Sequence, residues 1–178
     1  MLITLLKIVA VLFILGICGV WWMRTTSWGT SAKSSFTPAS GKFAPCPESP
    51  NCVSTQSPAE DKEHSIAPIA FSGSVDEAKA RLLSILQAMP RTTILKNDGN
   101  YIQTEMRTAL MGYVDDVEFF LDAATQTIQF RSASRIGYGD MGMNRKRMEE
   151  IEGSLAGEFR DEKSGKQGQA SRSFCFIG

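Results

Sequence analysis

DDVEFFLDAATQTIQFRSASRIGYGDMGMNRKR, residues 115–147, is the stretch whose reading decides the fold. Residues 114–122 and 127–134 alternate apolar with polar side chains, the period-two pattern of strands with one buried face. Pairing Asp122 with Thr127 sets Phe120 opposite Gln129, Glu118 opposite Arg131 and Asp116 opposite Ala133. Val117, Phe119, Leu121, Ile128 and Phe130 then share one face, expected to be the core. Asp116, Glu118, Asp122 and Arg131 share the other. A glycine-rich bend follows, and then a helix that starts with three cations in a row, Arg145, Lys146 and Arg147.

Upstream, residues 92–96 and 101–107 predict a second hairpin around Asn97-Asp98-Gly99-Asn100. Its expected inward set is Leu95, Ile102, Thr104 and Met106, with Glu105 and Arg107 outward. Ser74-Val75-Asp76-Glu77 has the form of a capping box. The run Val75, Ala78, Leu82, Ile85, Leu86 and Met89 has helical spacing and stops at Pro90. A short edge strand is expected at 66–71, around Pro68. The last helix, 144–160, carries Met148, Ile151, Leu155 and Phe159 on one stripe, weakened at Gly153 and Gly157 by up to ~1 kcal/mol each relative to alanine. The order β-α-β-β-β-β-α implies an α+β domain, an antiparallel sheet with two helices on one face.

The amino-terminal residues 2–23 are apolar except for Lys7, long enough to span a ~30 Å hydrocarbon layer as a helix. Trp21, Trp22 and Arg24 stand where interfacial aromatics and a snorkelling cation belong. A cleaved signal peptide competes with this, but no small-residue cleavage site precedes the tryptophans. Cys18 follows bulky Ile17, which argues against a lipidated cysteine. The expected organisation is a transmembrane anchor (2–23), a Ser/Thr/Pro-rich linker (24–62), the α+β domain (63–160) and a flexible tail (161–178) with an apolar end at 174–177.

Nineteen basic and nineteen acidic residues balance, which argues against a nucleic-acid partner, since that binding relies on a basic surface. Arg24, Lys33 and Lys42 against Lys7 slightly favour a cytoplasmic domain, whereas Cys46-Pro-Glu-Ser-Pro-Asn-Cys52 pulls the other way. A Cys46–Cys52 disulfide implies an oxidising compartment. Two free thiols, or a zinc site, are the alternatives; zinc needs two further ligands, and His64 alone does not complete a set. Cys175 is left without a mate.

Gly137-Tyr138-Gly139-Asp140-Met141-Gly142 fits G-x-G-x-x-G, but no strand follows the helix, so the dinucleotide reading is rejected and no cofactor is expected. The helix entry is a better signal. Cations in a first turn oppose the helix dipole. Either Asp140, Asp115 or Asp116 folds back on them, or free amides and cations hold a phosphate or carboxylate. The polar sheet face likewise has two readings, a solvated face with cross-strand ion pairs or a site in which Glu105, Glu118 and Arg131 orient one another. No nucleophile elbow and no metal-type histidine pair is present.

Together Cys46-Pro-Glu-Ser-Pro-Asn-Cys-Val-Ser-Thr-Gln56, Asp115-Asp-Val-Glu-Phe119 and residues 131–147 resemble the domain of unknown function 1499 family of bacteria and plastids. Thr55 stands where that family more often has serine. The resemblance brings no established activity; it implies that the cysteines, the DDVEF strand and the 131–147 segment belong together, and it tilts the domain toward an extracytoplasmic face. The expected function is a single-pass, membrane-anchored module that binds an anionic small molecule, a lipid headgroup or an envelope partner. Its expected ligand-binding residues are Asp116, Glu118, Arg131, Arg135, Asp140, Asn144, Arg145 and Arg147. A hydrolase or transferase with Asp116 or Glu118 as general base beside Arg131 is the alternative.

Overall fold

The capping box is formed as read: Ser74 Oγ accepts from the Glu77 amide while the Glu77 carboxylate accepts from the Ser74 amide, so the helix over Pro90's amino-terminal side starts where its sequence says. The computed structural model describes residues 2–25, 32 and 34–172. Its elements are α1 (Leu2–Thr25), β1 (Phe36–Thr37), β2 (Lys42–Phe43), β3 (Cys52–Ser54), β4 (Ile69–Ala70), α2 (Val75–Ala88), β5 (Thr92–Asp98), β6 (Tyr101–Arg107), β7 (Val114–Asp122), β8 (Thr127–Ser134) and α3 (Met143–Arg172). Lys33, Cys175 and residues 174–177 lie outside the described residues, as do the side chains of Arg24 and Phe159.

The sheet is antiparallel, in the order β3-β8-β7-β6-β5, with β4 sharing the outer edge of β8. The β7–β8 register is the expected one, pairing Asp122 with Thr127 and Glu118 with Arg131. In β5–β6 the register shifts between Ile94 and Lys96. That bulge sends Leu95 outward, 42% exposed, and turns Ile94 toward the core in its place. The expectation of an inward Leu95 is corrected accordingly, because one extra residue flips every later side chain to the other face.

One sheet face carries Ile102, Met106, Val117, Phe119, Leu121, Ile128 and Phe130, and α2 and α3 close it with Ala78, Leu82, Ile85, Leu86, Met148, Ile151 and Leu155. The fold is therefore α+β with both helices on one side. α1 is set apart from this core. Its window 2–22 has a mean hydropathy of 2.6 and is wholly unburied, long and apolar enough to cross a membrane. α3 runs past residue 160, where its end was expected; no proline stands after Arg160 to stop it.

Composition placed residues 24–62 in a linker, yet residues 34–56 are folded. β1 and β2 form a small hairpin across the outer sheet face, a strap over residues 34–43. Phe36 stacks on Tyr101 at 4.7 Å and tilts against Phe120 and Phe43. Gly41 has φ +64°, and a Cβ there would stand 3.3 Å from the Phe120 ring, so the strap's turn requires glycine for both conformation and space. Short aromatic segments without periodicity give no strand signal; burial against a pre-formed face supplies the order. Cys46 and Cys52 are disulfide-bonded, with 5.7 Å between their Cα atoms.

Candidate functional site

The outer face of the sheet, under and beside the strap, is built in rows across the strands. One row runs Gln103 (β6), Glu118 (β7), Arg131 (β8) and Ser54 (β3), each the register partner of the next. Glu118 is fully buried. Its hydrogen bonds come from the strap and Tyr101 rather than from Arg131. Its oxygens accept from Tyr101 Oη at 2.5 Å, from the Ser35 amide at 2.9 and 3.1 Å, and from the Ser34 and Ser35 hydroxyls. Burial, and then the hydrogen bond to Glu118, push the Tyr101 phenol well above its ordinary range. The carboxylate is thus the clasp that holds the strap on the sheet.

Arg131 is left over. Among the described residues, Arg131 Nε and Gln103 Nε2 are the buried side-chain nitrogens that lack a hydrogen-bond partner. Both flank Glu118. Desolvation lowers the Arg131 guanidinium from its ordinary value, opposed by the charges of Glu118 and Asp116. A buried donor without an acceptor is rare in folded proteins and is costly, on the order of 1–3 kcal/mol.

The neighbouring row is fully paired. Arg135 donates through Nε and Nη2 to both oxygens of Asp116, at 2.9 and 2.7 Å, and also to Glu105. Asp116, then Glu105, hold its guanidinium above the usual range. Arg107 lies 3.4 Å from Glu105 on the more exposed side. Glu105, Asp116 and Glu118 are matched by Arg107, Arg131 and Arg135, so the outer-face cluster is neutral. Asp116 is clamped at both oxygens and Glu118 is saturated with donors, so neither is poised as a general base.

At the start of α3 the aspartates do fold back. Asp140 accepts from the Gly142 and Asn144 amides at 3.0 and 2.7 Å. Arg147 pairs with buried Asp115 at 2.7 Å, and Asp115 also accepts from Ser134. Buried Asn144 accepts from Ser132 and Arg147 and donates to Ser134 and the Asn51 carbonyl. Arg145 donates to the carbonyls of Lys62, Glu63 and Ser65. Gly137, at φ +92°, turns its carbonyl to the Asn51 side chain at 2.6 Å. Asp140, Asn144, Arg145 and Arg147 therefore tie the bend, the segment before β3 and the sheet together through hydrogen bonds within the protein.

Of the eight residues expected to bind a ligand, Arg131 is the one with a buried donor that lacks a partner. Sequence reasoning did not single out Gln103, Ser34, Ser35 or Tyr101; the only signal in reach was Gln103 alternating onto the polar face of its strand. Two clefts lie near the row, the second touching it at Ser54 and neither lined by Arg131 or Gln103. One, of about 510 Å³, is lined by Lys42, Gln56, Gln129, Phe120 and Asp122; the other, of about 270 Å³, includes Ser54, Phe43 and Gln56. Among the described residues no group of histidine, cysteine and carboxylate side chains could hold a metal ion.

A family model described as Protein of unknown function (DUF1499) matches residues 42–155. No curated protein and no solved structure gives a match.

Proposed function

The chain belongs to the DUF1499 family, whose description assigns no activity, and from the geometry we propose that it is a membrane-anchored binding module that recognises an anionic, oxygen-bearing group at Arg131. The observation that carries this reading is the pair of unpartnered donors, Arg131 Nε and Gln103 Nε2, in one row of a neutral, half-covered cluster. A carboxylate or phosphate entering beside Ser54 or Gln129 would give Arg131 its missing acceptor in a charge-assisted hydrogen bond, stronger than a neutral one, and a ligand that also passes over Glu118 would reach Gln103, two strands away. Lys42, on the rim of both clefts, adds a second cation for the rest of the ligand. α1 supplies the anchor, and the disulfide favours an extracytoplasmic domain.

The test is a side-chain NMR titration of the full chain in detergent micelles, with inorganic phosphate and citrate as probes. At ~10 mM probe, enough to populate a ~1 mM complex, the Arg131 Nε–H and Gln103 amide signals move while Arg135 Nε–H stays still. Arg131→Gln abolishes the Gln103 response, and Arg131→Lys, which keeps the charge for folding, weakens it. Unmoved Arg131 and Gln103 signals, or an Arg135 signal that moves equally, overturn the proposal.

A further inference from the structure

Outside α1, the large apolar side chains exposed among the described residues are Leu95 and a set confined to one end of the sheet, on the β6–β7 loop (108–113) and the bend into α3 (136–143). Leu110 is 69% exposed, Tyr138 77% and Met141 fully so, with Ile136 and Met143 beside them. The two loops enclose a groove of about 350 Å³ whose lining also includes Met111. Six exposed side chains of this kind at one end, Tyr113 included, exceed what a solvated loop end ordinarily shows.

The two loops are also free of unspent charge. Residues 108–113 contain no acidic or basic side chain. In 136–143 the one ionised group is Asp140, turned onto the amides of Gly142 and Asn144. On the groove floor Asp115 is neutralised by Arg147. An apolar, uncharged tip with a tyrosine at its margin suits the boundary between headgroups and acyl chains, where an amphipathic ring is favoured.

Chain length brings such a surface within reach. The domain is re-entered at Ser34, docked against Tyr101, at the opposite end of β6 from residues 108–113. Seven strand residues separate the two ends, roughly 20 Å. Between Thr25, the end of α1, and Ser34, nine residue steps span at most about 30 Å. The tether can therefore reach about 10 Å beyond the length of β6, which lets the tip meet the bilayer that α1 enters.

We infer that the loops 108–113 and 136–143 form a lipid-docking tip that inserts Leu110, Met111, Ile136, Tyr138, Met141 and Met143 into the surface of that same bilayer. The inference rests on α1 as a membrane anchor and is independent of ligand binding at Arg131. The experiment uses the full chain in phosphatidylcholine nanodiscs with methyl-labelled Met, Leu and Ile and a nitroxide-bearing lipid. Docking broadens Leu110, Met111, Met141 and Met143 to loss of most of their intensity, as it does Leu12, Ile14 and Leu15 of α1, while Leu95 and the core Met148 keep theirs. Leu110→Ser with Met141→Ser restores the remaining tip signals and leaves α1 broadened. Sharp tip signals with a broadened α1 overturn docking and mark the tip as a protein-facing surface; sharp signals in α1 as well overturn the anchor and the docking together.

Discussion

His64 is the chain's one histidine, and in sequence it weighed only against a zinc site. It is buried, with Nδ1 2.7 Å from Asp61 and Nε2 3.2 Å from the Ser49 carbonyl, and its own carbonyl accepts from the Ser54 amide. Burial opposes its charge, but the Asp61 hydrogen bond, the Ser49 carbonyl and the nearby carboxylates outweigh it and raise its pKa above 6.5. Asp61 is lowered below 3.8, first by the His64 hydrogen bond. The raised histidine contributes stability that is complete below pH 6.5 and is lost as pH rises through its folded value. The lowered aspartate contributes above pH 3.8 and is lost as pH falls through its own folded value. Urea unfolding across a pH series therefore places the optimum of this pair between those two limits, with stability falling on the alkaline side; His64→Gln flattens that fall. Equal pH slopes in both proteins would show that the pair does not couple to folding.

The strap is the element that composition concealed. It has two two-residue strands and no amphipathic period, so its order comes from Phe36 on Tyr101 and Phe120 and from the Glu118 clasp. Glu118→Gln keeps the size but places an amide nitrogen against donors from Ser34, Ser35 and Tyr101. Loss of charge-assisted hydrogen bonds of this kind costs about 2–3 kcal/mol. Tryptic cleavage after Lys42 should accelerate several-fold in the variant while the sheet's cooperative unfolding persists; unchanged cleavage would mean that the aromatic contacts alone hold the strap. By contrast, β7, β8 and α2 were legible from residues alone. Alternation assigned their faces, and the charged residues of β7 and β8 allowed the Glu118–Arg131 register to be written down. What alternation did not reveal was that Glu118 turns to the strap and leaves Arg131 without it, because that depends on a segment about 80 residues away along the chain.

For the whole molecule, the Cys46–Cys52 bond ties the strap's exit to β3 and so to the sheet. Closing a loop of sequence separation 6 stabilises by about 2 kcal/mol in the chain-entropy picture. Replacing both cysteines by serine should lower the unfolding free energy by that amount in urea, with the dependence on denaturant unchanged. In intact membranes, alkylation of Cys46 and Cys52 should require prior reduction; ready alkylation without reductant would move the domain to a reducing compartment. The chain should also stay with membranes through carbonate washing and leave with detergent, as an embedded α1 requires.

The sequence by itself determined the strands and helices whose periodicity matches their burial, the apolar span of α1 and the capping box of α2, because each follows from side chains within a few residues of one another. It also identified the charged residues that cluster. Only the tertiary structure decided how those charges are spent. Arg135, Arg145 and Arg147 find carboxylates and carbonyls brought from β6, β7 and the 61–65 turn, and Glu118 finds the strap. Which donors remain over, Arg131 and Gln103, is a remainder after all long-range pairings are made, and long-range pairings are set by chain topology rather than by any local pattern.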